Sequence, residues 1–364
     1  MALKKCVILG LVLLITEMGL SQDLRGFWLT DVASKALDSP EGIKKVVGDC
    51  KAAGFSQIYV VVWNRGYTLY PSELMQNTFG KMVSPRFKDR DILKELINEA
   101  HKEQIEVHAW FEFGFSSSYQ EEDGGHIIRA KPHWAALDNQ GNLVEKNGFQ
   151  WMNAFLPEVQ DFLISMILEV IRNYEVDGIQ GDDRLPANPS TAGYDPHTLK
   201  LYRAENNGAD PPQDYKDPDW VNWRANKLND FAKRIYTEVK TSDPKMIVSM
   251  APSIFPWSKE EYLQDWPTWL ENDWVDYVIP QVYRYNLKAY KKTLDANLEF
   301  ISEEDRSRFI PGILLKVDQY APSRNFLKKM IRTNRKRGLQ DEVFFFYEGL
   351  KVHKDFFNNL YKRL

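Results

Sequence analysis

DGIQGDDR, residues Asp177 to Arg184, is the stretch on which the fold turns. Ahead of it, Pro157-Glu158 opens a helix whose apolar positions Val159, Phe162, Leu163, Met166, Ile167, Val170 and Ile171 recur at 3.6 residues. Only the tight Glu175-Val176 link separates that helix from the stretch, and a Pro-, Asn- and Gly-rich excursion over residues 185–219 follows it. Helix, tight link, short strand and long polar loop form one unit of a parallel sheet, whose strands must be joined by crossover helices.

The same rhythm runs outward in both directions. Candidate strands are Gly26 to Thr30, Gln57 to Trp63, Glu106 to Phe113, Gly178 to Asp182, Ile247 to Pro252, Tyr277 to Tyr283, Phe309 to Leu315 and Val343 to Tyr347. Ser39-Pro40-Glu41 gives one intervening helix an N-cap and a proline at its first position, and Asp243-Pro244 stops the helix that begins near Trp220. Eight strands alternating with helices are the number that closes a barrel. The expected fold is therefore α/β, a single (β/α)8 TIM barrel with extended loops after strands 3 and 4. The loop after the third strand, residues 116–156, includes a hairpin turn at Asp138-Asn139-Gln140-Gly141. A doubly wound open sheet is the competing architecture, but no glycine-rich phosphate fingerprint follows the first strand.

The 364 residues carry 47 Lys and Arg against 51 Asp and Glu, a formal net charge of −4. Without Lys/Arg blocks this balance excludes the electrostatic footprint of a nucleic-acid or anionic-membrane binder. Lys4 and Lys5 precede an apolar run from Val7 to Ile15, and Gly19 and Ser21 sit where a signal peptidase prefers small residues. Residues 1–21 are thus expected to be a signal peptide and residues 22–364 an exported barrel, periplasmic or extracellular. The apolar run is too short for a stable membrane anchor. After processing, Cys50 is the remaining cysteine, so an intramolecular disulfide is excluded. Nothing in the sequence specifies an oligomeric state.

Side chains alternate across a strand, so parity sorts the polar groups. In the fourth strand Gln180 and Asp182 point inward if Ile179 packs against helices; in the third, His108, Trp110 and Glu112 do so if Phe111 and Phe113 pack outward. Gln281 and Tyr283 share a face of the sixth strand, and Glu348 falls just past the end of the eighth. Asp31, after the first strand, joins the same rim, and Asp183 has the opposite parity to Asp182. Each carboxylate alone could equally be a helix cap or half of an ion pair. Several converging on one rim are costly to bury without a use. Asp177, at the other end of its strand, reads as structural.

Paired carboxylates are what glycosidic hydrolysis requires: a protonated one to assist the leaving oxygen, and another to stabilise, attack or activate water at the anomeric carbon. Asp182, Asp183, Glu112 and Glu348 are the catalytic candidates. Asn64, Arg65, Trp110, Gln281, Tyr283 and Asp31 are candidates for holding a polysaccharide. Trp63, Trp134, Trp151, Trp257, Tyr67, Tyr70 and Tyr285 also follow strand ends, where aromatic faces can pack on sugar rings or simply fill the core. No HExxH and no GxSxG is present. No metal or cofactor is called for, although Asp182, Asp183 and Glu112 holding a divalent cation is an alternative use of the same groups.

The stretches RGFWLT at Arg25, GFSQIYVVVWNRGYTLYPS at Gly54, VHAWFEF at Val107, IRNYEVDGIQGDDR at Ile171, WVDYVIPQVY at Trp274 and FFFYEGL at Phe344 follow one another along nearly the whole chain. Together they resemble the glycosyl-hydrolase-like 10 family of exported bacterial proteins. The resemblance implies a TIM barrel and a glycoside hydrolase, with denuded peptidoglycan strands as the substrate suggested for relatives. It maps the family's aspartate pair onto Asp182 and Asp183. Three departures stand out: Glu112 where many relatives have Asn, the sequence Arg184-Leu185-Pro186-Ala187-Asn188 where many have a longer aromatic loop, and no glutamate closing the seventh strand. The fourth-strand pattern is also similar to chitinase-type barrels, in which the substrate's N-acetyl group replaces the protein nucleophile; there Asp182 would orient the acetamide with help from Tyr283. A barrel that binds carbohydrate without turning it over is the alternative from another functional class.

Overall fold

The computed structural model describes residues 24–361, so the expected signal peptide lies outside the described residues. Eight parallel strands run through it: Arg25–Leu29 (β1), Gln57–Val61 (β2), Glu106–Phe111 (β3), Gly178–Gly181 (β4), Ile247–Met250 (β5), Tyr277–Val278 (β6), Gly312–Leu314 (β7) and Glu342–Phe345 (β8). Neighbours pair in sequence from β1 to β6, and β1 also pairs with β8, which pairs with β7. The ring closes between β6 and β7 through parallel bridges Val278 to Phe309 and Gln281 to Gly312. The fold is the (β/α)8 barrel.

A helix follows each strand. Pro40–Ala53 begins where the Ser39 hydroxyl accepts from the Gly42 amide and ends at Gly54, whose φ of 73° only a residue without Cβ adopts freely. Pro157–Asn173 buries the expected stripe from Val159 to Val170 and half-buries Ile171, each fully buried large apolar side chain contributing about 1.5–3 kcal/mol. Pro218–Ser242 stops before Asp243-Pro244 as read from the sequence.

Several strands are shorter than their apolar runs. Pro280 and Pro311 lack an N–H to donate, which reduces β6 and β7 to short ladders. After β2 the chain folds back in a two-residue hairpin, Trp63–Asn64 against Tyr67–Thr68, with Arg65 and Gly66 both at positive φ. The loop after β3 builds a three-stranded antiparallel sheet from Ser116–Tyr119, Glu145–Lys146 and Phe149–Trp151. The excursion after β4 carries the helix Pro196–Glu205. Both elaborations stand on the face where the strands end, the side that forms sites in this fold.

The barrel interior is layered. Tyr59 and His108 stack near the lower end with ring centroids 4.7 Å apart. Above them Trp28 donates from Nε1 to Gln180 Oε1 at 2.6 Å, and Gln180 donates to Ser249 Oγ at 3.1 Å, filling the middle with a satisfied polar network. Asp177 lies at the opposite end, where its carboxylate accepts from the Val107 amide at 2.7 Å and pairs with His101 at 2.9 Å; its role is structural. Cys50 is buried, with its thiol against the Phe55 carbonyl.

Candidate active site

Gly181 ends β4 because nothing larger fits: a Cβ there would stand 2.3 Å from the Leu185 carbonyl oxygen and 2.4 Å from Met250 Sδ. The tight turn that follows lifts Asp182, Asp183 and Arg184 onto the barrel mouth. Gly114, just beyond β3, lets the two loops touch backbone to backbone, since a Cβ there would lie 2.0 Å from the Arg184 carbonyl. The Phe115 amide donates to that same carbonyl at 2.9 Å. These two glycines bring the ends of β3 and β4 together.

A cavity of about 190 Å³ opens there, lined by Trp28, Trp110, Glu112, Phe149, Asp182, Asp183, Arg184, Gln281, Tyr283 and Phe345. Arg184 stands at its centre. Its Nη2 donates to Asp182 Oδ2 at 2.8 Å and lies 3.9 Å from Glu112 Oε1. Its Nη1 is 2.9 Å from Asp183 Oδ1, and its Nε donates to the Glu112 carbonyl at 2.8 Å. The guanidinium rests 4.6 Å from the centre of the Phe149 ring, a cation–π distance. Asp182 is further fixed by Gln281, whose Nε2 donates to its Oδ1 at 3.1 Å. Glu112 Oε2 accepts from Asn64 Nδ2 at 2.7 Å and from the Thr30 hydroxyl at 3.3 Å.

One cation faces three carboxylates in a largely buried cluster, and Glu112 and Asp182 resist ionisation. Burial pushes Glu112 up to about 7; Asp31 and Asp183 add to the effect while Arg184 opposes it. Burial, then the charge of Asp183, also raises Asp182, again against Arg184. Burial and the three acids raise the Tyr283 hydroxyl well above its usual range. For Arg184, burial is outweighed by its three carboxylate neighbours, so it remains charged. Among the described residues no group of three or more His, Cys, Asp or Glu is disposed to hold a metal ion. Arg184 occupies the space between these acids.

The sequence-derived candidates divide into two places. Glu112, Asp182, Asp183, Trp110, Gln281 and Tyr283 share the cavity. Glu348 does not: it lies in the first turn of the helix Tyr347–Tyr361, accepts from Ser34 Oγ at 2.7 Å and pairs with Lys351 at 2.6 Å. With Asp31, Arg86 and Lys351 it lines a neighbouring groove of about 600 Å³. Asn64 joins the two places, since its Nδ2 also donates to Asp31 Oδ1 at 3.0 Å. Burial raises the Asp31 carboxyl, opposed by Arg86 and Arg65. Arg65 is exposed at the hairpin turn. Of the other aromatic candidates, Trp63, Tyr70, Trp134 and Trp151 are buried in the core, while Trp257 and Tyr285 are exposed.

Sequence reasoning did not single out Trp28, Phe149, Arg184 or Phe345 for the site. Strand parity carried a signal for Trp28, whose neighbours Phe27 and Leu29 take the other face. Phe149 arrives from the hairpin after β3, and strand periodicity says nothing about such a residue.

Against known proteins, the family described as glycosyl hydrolase-like 10 matches residues 23–320. Glycosyl hydrolase YngK of Bacillus subtilis is 24% identical over 315 residues, covering 75% of this chain and 57% of that protein. Glycosyl hydrolase DigH of Escherichia coli K12 is 23% identical over 305 residues, covering 72% of this chain and 66% of that protein. The chain therefore spans under two thirds of either relative's length. Among solved structures, the glycoside hydrolase domain of PgaB (BpsB) from Bordetella bronchiseptica superposes with a TM-score of 0.70 at 13% identity, covering 93% of this chain and 98% of that one. The catalytic domain of β-amylase from Paenibacillus polymyxa gives 0.63 at 11% identity, covering 92% and 94%. Likeness at these identities speaks for a shared fold.

Proposed function

The chain belongs to the glycosyl hydrolase-like 10 family, and from that premise we propose that it is an exported glycoside hydrolase acting on an N-acetylated bacterial cell-wall glycan. The observation that carries the reading is the trio of carboxylates around Arg184, with Glu112 pushed up to about 7. At neutral pH Glu112 is partly protonated and can give its proton to the leaving glycosidic oxygen. Asp182 and Asp183, held on the same guanidinium, share between them the negative charge that a sugar cation calls for. Tyr283 and Gln281 present polar groups beside Asp182, suited to holding an acetamide, while Trp28, Trp110 and Phe345 give the cavity apolar walls for a pyranose ring. Cell-wall glycan as the substrate follows from the family resemblance, and export from the Lys4-Lys5 and Val7 to Ile15 pattern. Glu348 has no part in this arrangement.

Incubation of the protein with denuded N-acetylated glycan strands, followed by chromatography, is the test. Wild type should release short saccharides, and Glu112→Gln and Asp182→Asn should each lower the rate by about a hundredfold or more. No release by wild type sinks the activity, and release undiminished in both variants sinks the residue assignment. A second reading is favoured by the cavity's small volume: a barrel that binds glycan without turnover. Binding by wild type with no product after long incubation would decide for it.

A further inference from the structure

Arg184 makes more contacts in the cavity than any acid there, and the glycosidase reading gives it no step. Its guanidinium reaches both aspartates of its own loop and stands within 3.9 Å of Glu112 on the neighbouring one. The Nε contact to the Glu112 carbonyl fixes the direction from which it enters. Phe149 supports its face at 4.6 Å and Phe113 lies 5.9 Å away. We propose that Arg184 is the positioning residue of this site: one guanidinium holds Asp182 and Asp183 in place, and its single positive charge decides whether Glu112 carries a proton at neutral pH.

The charge inventory supports this. Facing Arg184 are Asp182 and Asp183 from the turn after β4, Glu112 from the end of β3, and Tyr262 from the end of the short helix Trp257–Tyr262 after β5. Tyr283, after β6, faces the same acids. Asp31 reaches Glu112 through Asn64, and the cations acting on Asp31 are Arg86, 3.6 Å away, and Arg65. Lys146 is engaged by Glu261 at 2.6 Å and sits over the Tyr262 ring. Arg184 is thus the cation in direct contact with the trio. Without it, three acids would repel one another unscreened, and Glu112 would hold its proton to higher pH. With it, the proton is released near neutrality, where a donor that must be reloaded each cycle works best.

The inference rests on the glycosidase reading for its use, but its test does not need turnover. The protonation of Glu112 can be followed by difference infrared spectroscopy of the carboxylic acid band across a pH series, with Glu112→Gln identifying the band. In Arg184→Gln the midpoint should move upward by about one pH unit or more, and in Arg184→Lys it should return most of the way to the wild-type value. Phe149→Leu, which removes only the aromatic support, should move it in the same direction by less, and it serves where Arg184→Gln does not fold. A side chain that merely braced the loop would leave the midpoint where it is, and an unmoved midpoint in the foldable variants overturns the proposal. If the midpoint moves but wild type releases no saccharide, the glycosidase reading fails and the role of Arg184 stands.

Discussion

Glu112 is the residue on which stability and chemistry pull apart. Its carboxyl is pushed up to about 7 in the folded protein from a usual 4.5, chiefly by burial. The folded state therefore binds that proton more tightly than the unfolded chain does. Between those two values stability falls as pH rises, and above about 7 the full penalty applies, of order 3 kcal/mol. Glu112→Gln is neutral at every pH and keeps an oxygen for Asn64 Nδ2. It should unfold at a higher urea midpoint than wild type at pH 8, by roughly that free energy, and close to the wild-type midpoint at pH 4. Parallel pH profiles for the two proteins would show that Glu112 ionises as freely as an exposed acid. In the proposed hydrolysis the same titration runs the same way: activity should also decline as pH rises past about 7, because a proton donor is lost.

At the scale of elements, the long excursion after β4 is held by a single buried cation. Arg224, in the helix Pro218–Ser242, is fully buried with no acid beside it. Its guanidinium donates to the carbonyls of Ser190, Ala192 and Tyr215, the last two at 2.6 Å each, and burial lowers its pKa to about 9. Three Nη contacts to main-chain oxygens close the loop against its own downstream helix. Arg224→Met should leave those carbonyls without donors and cost about 3 kcal/mol. Hydrogen exchange would place the damage: protection should drop over residues 188–217 while β2 and β3 keep theirs, and uniform loss along the chain would argue against a local clasp. None of this was legible beforehand. Helix boundaries were, because Ser39-Pro40 and Asp243-Pro244 act on adjacent residues, whereas Arg224 acts on carbonyls 32 and 34 positions away. Parity placed Glu112, Asp182, Gln281 and Tyr283 correctly on the mouth because a strand repeats every two residues. It misplaced Glu348 because the strand ends at Phe345 and a helix begins at Tyr347, so the repeat no longer applies. Phe345 faces the cavity instead, while Phe344 packs outward on Phe55 and Phe357.

For the whole molecule, eight runs alternating with helices were enough to read a barrel, but not where the barrel is weakest. β2 and β3 pair over five consecutive positions, Gln57 to Val61 against Glu106 to Trp110. The seam between β6 and β7 rests on two isolated bridges, with the Ile310 amide donating to Val278 and the Gly312 amide to Pro280, each at 2.9 Å. Pro280 and Pro311 can add no donor of their own. Below, the seam is clasped by Arg308, which reaches Asp273, Asp305 and the Asp276 carbonyl. Above, Gln281 spends its own amide and its side-chain Nε2 on the Pro252 and Ala251 carbonyls, on the β5 side. Opening should therefore begin at the upper end, and that end borders the cavity: Tyr283 stands on one side of the seam and Phe345 on the other, their rings 5.3 Å apart. Local openings of this kind occur where few hydrogen bonds must break, at free energies well below global unfolding. The amides of Ile310 and Gly312 should exchange with solvent at least tenfold faster than those of Val60 and Ala109, and a bound glycan fragment that bridges Tyr283 and Phe345 should slow them. Equal protection across the two pairs of strands would show a ring uniformly closed, and the cavity would then have to admit a sugar by motion of the loop carrying Phe149 instead.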